Sequence, residues 1–401
     1  MNKNRLLTGA LAVATTMLPL SQAMAEVTIS GWINEAAIYY DDGRGSDIVQ
    51  AADNGTTLGS RINFAASSEL PAGLKAGMEV ILEPLSVDMP LLVANQNTFD
   101  DTNGQVINVL GSSVFLSGAW GKVTMGLQTM PTDNIAVLSD PSLTLWDSVG
   151  VVFRANNFNI RGVTGANSTW GSFLQCQTIN GGGIGLDCNG IYRNGVRYDL
   201  PTFVENLRIA VGWANDDVYD VAANWSGQLG RLKAVLGIGY AINSGVNTAA
   251  YDSTGLFQVQ GGLMDPVTGL FASVAYQNED EDERPGLSGP TVSDSSDVYW
   301  VKGGIKKQWN SLGDTALVFQ YGSYNDQWGA DLISEGITGS EVERWGVGLN
   351  QYFGSSLIIY GAWENMDLNV DCLAGSACAT AGLYSGADDL DLFTLGAVYF
   401  F

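Results

Sequence analysis

Short runs of alternating apolar and polar residues recur along this chain, separated by turn residues. A period of two belongs to a β-strand whose two faces meet different surroundings. Residues 74–83 show it most plainly: Leu74, Ala76, Met78, Val80 and Leu82 alternate with Lys75, Gly77, Glu79, Ile81 and Glu83. Leu232, Ala234, Leu236, Ile238 and Tyr240 share a face with Lys233 opposite, as Trp345, Val347, Leu349 and Phe353 do with Arg344 opposite. The first strand runs from Val27 to about Tyr40. Val27, Ile29, Gly31 and Ile33 share one of its faces, and Glu35 breaks the parity, as a bulge or as a polar pocket at a subunit contact. The second, near 57–68, sets Arg61, Asn63, Ala65 and Ser67 against Ile62, Phe64 and Ala66. The last, 390–401, puts Phe393, Leu395, Ala397, Tyr399 and Phe401 on one face. Five strands before residue 129, ten in hairpins between 193 and 364, and this last one make sixteen.

An apolar edge strand invites pairing with other chains. Pairing with the first strand removes the edge by closing a barrel. An even number of tilted strands, with short turns at one rim and longer, acidic loops such as 278–297 at the other, is the pattern of a transmembrane antiparallel β-barrel. Lipid offers no hydrogen-bond partner, so a sheet within it has to close. Tyr39, Tyr40, Trp213, Trp225, Tyr240, Tyr276, Tyr321, Tyr352, Trp363 and Tyr399 lie near strand ends, where interfacial girdles need aromatic rings. Alternation alone leaves a large secreted sandwich as the other all-β reading.

Residues 1–25 carry Lys3 and Arg5, an apolar run from Leu6 to Leu20, and Ala23-Met24-Ala25. That is the layout of a cleaved signal peptide rather than a membrane anchor, leaving 26–401 as a single barrel domain. No other stretch approaches a helical span. Loss of the leader takes the net charge from −24 to −26. Phosphate binding needs Lys and Arg, so nucleic acid is excluded as a partner; the charge suits a surface that attracts cations. There is no histidine, which removes Ser-His-Asp and Cys-His catalysis and His-ligated zinc together. Cys176 with Cys188 and Cys372 with Cys378 form two local pairs, which in an exported chain point to disulfides over free thiols or metal ligands.

Several segments resemble the Gram-negative general porins of the alphaproteobacterial, Rhodobacter-like type. Val27-Thr28-Ile29-Ser30-Gly31 opens the first strand, and Ser60-Arg61-Ile62-Asn63-Phe64 through Gly73-Leu74-Lys75-Ala76-Gly77 resembles that family's second hairpin. The run from Ser117 to Gln128 resembles the segment before its constriction loop, and Arg193 to Pro201 the strand after it. The resemblance implies a sixteen-stranded homotrimeric barrel whose long third loop folds into the pore, with acidic loop residues facing a basic wall. Arg61 matches a position of that wall. Phe401 matches the family's insertion signal, which implies the barrel-assembly machinery as a partner during insertion into outer-membrane lipid. Two departures thin the basic wall: Leu127 stands where the family often has arginine, and residues 105–117 contain no Lys or Arg.

The longest irregular stretch, Thr129 to Tyr192, is the candidate for that loop, since connections of this length are usually functional or disordered. Asp133, Asp140 and Asp147 within it are the constriction candidates, or else turn-forming aspartates. Parity places Arg61, Asn63, Lys75, Glu79, Arg197, Arg208, Lys233 and Lys302 on the inner wall. The expected function is passive diffusion of ions and small hydrophilic solutes, with cations preferred because carboxylate rings lower their barrier. No cofactor is required. Glu279, Asp280, Glu281, Asp282 and Glu283 form the densest acidic run, read as a solvated loop or as a Ca²⁺ site that bridges to lipopolysaccharide. A sugar-selective channel would use an aromatic slide, for which Trp146, Phe153, Phe158 and Trp170 are available. Without histidine, a barrel enzyme is disfavoured; a purely structural barrel would carry no solute flux.

Overall fold

The computed structural model describes residues 26–51, 58–86, 105–137, 140–150, 153–163, 168–176, 183–245, 251–283 and 295–401. Residues 1–25, expected from the sequence to be a signal peptide, lie outside them. Eight strand segments precede the midpoint of the ring: β1 (Glu26–Asp41), β2 (Ser46–Ala51), β3 (Arg61–Leu70), β4 (Leu74–Ser86), β5 (Gln105–Gly118), β6 (Gly121–Gln128), β7 (Arg193–Asp199) and β8 (Leu207–Ala214). Then come β9 (Val218–Leu229), β10 (Leu232–Asn243), β11 (Tyr251–Met264), β12 (Leu270–Glu283) and β13 (Ser295–Asn310). The last four are β14 (Gly313–Asn325), β15 (Ile337–Phe353), β16 (Leu357–Cys372) and β17 (Leu390–Phe400).

Every pairing is antiparallel, and β1 pairs with β17 from Trp32 opposite Phe400 to Asp41 opposite Asp391, which closes the ring. The closed barrel has sixteen strands because β2 and β3 share one edge of β1 and act as a single broken strand. The sequence reading had one strand there. At the break, the Asn34 amide of β1 donates to the Ser60 hydroxyl at 3.0 Å, so a side chain replaces a ladder partner. The register of β1 on β17 runs without a shift, so Glu35 forms no bulge and keeps the outward parity of Ile33 and Ala37.

The outward set is apolar: Val27, Val114, Leu236, Val274, Phe319, Val347 and Leu395 are among its most exposed side chains. Above it, on the loop side, Tyr39 contacts Phe393, Tyr276 contacts Tyr299, and Tyr321 contacts Trp345. Tyr399 and Trp309 mark the turn side. Tyr40 and Tyr352 are corrections to the predicted girdle: both point inward and are buried.

Strands extend further toward the loop side than alternation indicated. β12 continues through Asn278 to Glu283 and β16 to Cys372. The ladder outlasts the apolar pattern because only the segment facing lipid needs an apolar outer face, and Asn278, Asp280, Asp367 and Asp371 continue it beyond that level. The run from Glu279 to Glu283 is therefore strand, not loop. Glu279 points inward and is buried while Asp280 points outward and is exposed, so these two cannot close on one ion. The side chains of Glu281, Asp282 and Glu283 lie outside the described residues.

The barrel is not hollow throughout. The segment after β6 folds inward and carries its own apolar core: Phe153, Phe158, Trp170, Phe173 and Leu186 pack with Ile38, Trp300, Tyr324, Tyr360, Leu390 and Leu392 of the wall. Both cysteine pairs are disulfides, Cys176–Cys188 within this loop and Cys372–Cys378 from the end of β16 into the segment after it.

Candidate functional site: the lumen

The inward loop divides the lumen in two. Against β11–β17 and β1 it is docked tightly. Tyr324 donates to the Val149 carbonyl at 2.9 Å, and Gln320 accepts from the Val149 amide at 3.0 Å. Gln258 donates to Leu186 O at 3.1 Å and Gln277 to Gly185 O at 2.6 Å. Small residues make the fit: a Cβ at Gly348 would stand 1.6 Å from an Asp147 carboxylate oxygen, and one at Gly346 would meet Val149. The loop starts on the far wall, where Asp220 of β9 accepts from both the amide and the hydroxyl of Thr132 at 2.8 Å.

Charges are buried in this docked interface. Arg344 of β15 donates to Glu364 of β16 at 3.0 and 2.5 Å and also to the Val149 carbonyl. Arg154 of the loop lies 3.5 Å from the other Glu364 oxygen and donates to Trp146 O at 2.5 Å. All three side chains are 1% exposed or less. Lys302 of β13 pairs with Asp140 at 2.5 Å and donates to Thr144 O at 3.0 Å. Asp147 accepts from Asn350 at 2.8 Å. Three cations and three carboxylates thus balance within one buried network, which low dielectric demands.

That geometry corrects two of the three constriction candidates. Asp140 and Asp147 are buried against the wall and do not face open lumen. Asp140 also accepts from the Ser142 and Thr144 amides, the turn-forming role weighed for it. Against the desolvation of burial, Lys302 together with the hydroxyl and amide of Ser142 holds the Asp140 carboxyl below the ordinary range. Burial pushes Asp147 up to about 6, against the pull of Lys302, Asn350 and Arg154. The aromatic slide is corrected as well: Trp146, Phe153, Phe158 and Trp170 are all core residues. Each was inward-facing material of the right type, but the loop uses it to hold itself down.

The other half of the lumen, along β3–β8, is open. A cavity of about 420 Å³ there is lined by Glu79, Ser113, Lys122, Thr124, Gln128, Tyr192, Arg197, Asp199 and Arg208, among others. Arg61 pairs with Glu83 at 2.9 Å and lies over the Trp32 ring, while Asn63 donates to Glu79 at 2.8 Å. Arg197 pairs with Asp199 at 2.8 Å. Lys75 is exposed on the same inner face near the turn rim. Arg61, Lys75, Glu79, Arg197 and Arg208 all occupy the inner face by register. Sequence reasoning missed Lys122 and Arg193. Both share the parity of Thr124 and Arg197 across the β6–β7 ladder, a signal present in the sequence. Lys122 sits 4.6 Å from the Phe115 ring centroid. With these two, the basic wall is fuller than residues 105–117 alone imply.

Asp133 is the one predicted constriction residue that is not buried. It is half-exposed, close enough to Arg61 and Arg197 to feel both, and accepts from Thr129 and Asn134. Desolvation by loop and wall, then the Asp187 carboxylate, push it up to about 7.

The family model for Gram-negative porins matches residues 9–401. The chain belongs to the Gram-negative porins. Family and barrel together imply the outer membrane. Porins are channel proteins, not enzymes. Solved structures with the same fold include an anion-selective porin from Comamonas acidovorans, 17% identical, TM-score 0.57, covering 94% of this chain and 100% of that one. OmpT of Vibrio cholerae is 12% identical, TM-score 0.54, over 95% and 99% of the two chains. The channel DcaP of Acinetobacter baumannii is 13% identical, TM-score 0.54, over 95% and 99%. Among curated sequences, none matches this porin significantly.

Proposed function

We propose that this porin is a water-filled channel for passive diffusion of ions and small hydrophilic solutes across the outer membrane, with cations preferred. The observation that carries the reading is the open half of the lumen, a cavity of about 420 Å³ whose wall is charged and polar while the opposite half is sealed by an apolar loop core. Solutes would pass between Asp133 on the loop and Arg61 and Arg197 on the wall. Cation preference rests on Asp133 together with the acidic loop side, where Asp41, Asp280, Asp367 and Asp388 lie.

One form of Vibrio cholerae OmpT is trimeric, and a homotrimer is proposed here too. Glu35, outward among apolar neighbours, is disfavoured against lipid and fits a subunit contact. In this reading Phe401, next to the seam, is the mark by which the barrel-assembly machinery handles the chain. Lipopolysaccharide would meet an acidic belt around Asp280 and Asp391, and contact between like charges there needs a bridging cation such as Ca²⁺.

Planar-bilayer recording of the refolded protein in a KCl gradient tests the proposal. Stepwise openings in groups of three, with a zero-current potential of cation-selective sign, are expected. Folded protein without conductance would overturn the channel; anion-selective sign would overturn the preference alone.

A further inference from the structure

The second residue of four successive loop-directed strands is basic: Lys75 in β4, Lys122 in β6, Arg208 in β8 and Lys233 in β10. Register places all four on the inner face, just above the turn rim. Alternate strands stand about 10 Å apart, so the four form an arc along the inner wall from β4 to β10, just above the turn rim. None of them makes an ion pair with a described carboxylate. The neighbouring carboxylates are Glu69, opposite Lys75; Asp199, opposite Lys122 but bonded to Arg197; and Glu79, which lines the same cavity as Lys122 and Arg208 and accepts from Asn63. Counting Arg197, the arc carries five cations against three carboxylates among the described residues, in a chain that has 42 acidic and 18 basic residues overall.

The loop rim has the opposite composition. Asp41, Asp42, Asp47, Asp217, Asp326, Glu335, Asp371, Asp388 and Asp389 lie there, with Arg44 and Arg161 as the basic residues among the described loop positions. Both of those are already paired, Arg44 with Asp388 and Arg161 with Asp42.

We infer that the channel is bipolar along its axis: cations collect at the loop mouth, small anions collect on the Lys75–Lys122–Arg208–Lys233 arc at the turn mouth, and the conductance therefore rectifies. The inference rests on the channel reading above. With the loop side positive, cations enter through the acidic mouth and anions through the basic one, so both accumulate inside and the pore conducts well. With the sign reversed, each ion must enter through a mouth of its own charge, and the interior is depleted. No closing movement is needed.

Single-channel current–voltage curves of the full chain, added from one side, test this. At ~0.1 M KCl the fixed charges reach about 10 Å into the lumen, and currents at equal and opposite voltages should differ about twofold, the larger with the loop side positive. At ~1 M KCl the reach falls to about 3 Å and the ratio should approach one. The variant K75Q/K122Q/R208Q/K233Q should give symmetric currents at low salt. The single variants K122Q and R208Q, each expected to reduce the ratio, serve if the quadruple variant does not fold. Symmetric wild-type currents at ~0.1 M, rectification in the opposite sense, or an unchanged ratio in the variants would overturn the bipolar arrangement while leaving the channel standing. Absence of any conductance would overturn the channel and this inference with it.

Discussion

Replacing Glu364 by glutamine separates the loop from the barrel in a way that can be measured. Glu364 is the carboxylate that Arg344 and Arg154 share, contacting the first at 3.0 and 2.5 Å and the second at 3.5 Å. All three groups are sealed from solvent. Glutamine keeps the shape and removes the charge, leaving two guanidinium groups against Asp147 alone on that side of the network. Removing one partner of a buried ion pair costs about 3–5 kcal/mol. By contrast, Arg161–Asp42, where the arginine is 40% exposed, is a pair of the kind worth at most about 1 kcal/mol. The cost of E364Q falls on docking, because Arg154 belongs to the loop and Arg344 to the wall. The backbone ladder β15–β16 does not depend on it. We therefore expect E364Q to lower stability in a urea titration of the detergent-folded protein by about 3 kcal/mol or more, to raise single-channel noise, and to expose the loop to limited proteolysis. R154M/E364Q should recover most of the loss, since it leaves Arg344 and Lys302 against Asp140 and Asp147. A change under about 1 kcal/mol for E364Q, or a double variant weaker than E364Q alone, would refute the neutral-network argument.

Three further outcomes follow from the same geometry. Asp133 gains its charge only as pH rises through about 7, so the cation preference read from zero-current potentials should weaken on acidification through that range, and D133N should be pH-insensitive there; because the folded carboxyl titrates above its ordinary value of 3.8, D133N should also remove a stability loss that develops as pH rises from 3.8 to about 7. G348A should drive Asp147 off Asn350, seen as increased proteolysis of the loop with the barrel intact. Removal of the Cys176–Cys188 bridge, which spans 12 positions, should cost about 3 kcal/mol in the chain-entropy picture, read as a shift in the urea midpoint between oxidised and reduced protein.

The ring of strands was legible because lipid on one face and water on the other impose a period of two on segment after segment. Strand ends were not, because above the lipid level Asn278, Asp280 and Asp367 pair as well as any apolar residue does. Lumen residues such as Arg197 and Arg208 followed from parity alone. The docked loop did not, since it has no period: Asp140, Asp147 and Asp133 look alike in sequence, and only the wall residues across the barrel, Lys302, Asn350 and Arg197, distinguish an anchor from a lumen group. The aromatic residues failed for the same reason. A tryptophan beside open water and one packed on Tyr360 or Trp300 are identical until the partner strand, far away in sequence, is brought against it.

The seam between β1 and β17 has a kinetic meaning. Most other pairings join segments that follow one another and can form as hairpins; β1–β3, with β2 between them, and β6–β7, joined through residues 129–192, are the exceptions. The seam joins the two extremes of the ring, and the entropy of closing so large a loop is recovered only when the remaining strands are already in register. Until then the sheet has two apolar edges, at β1 and at β17, each able to capture a strand from another chain. Residues Trp32 to Asp41 and Asp391 to Phe400 are therefore the stretch through which a half-formed barrel would aggregate. A chaperone that delays assembly has only to cover these two edges.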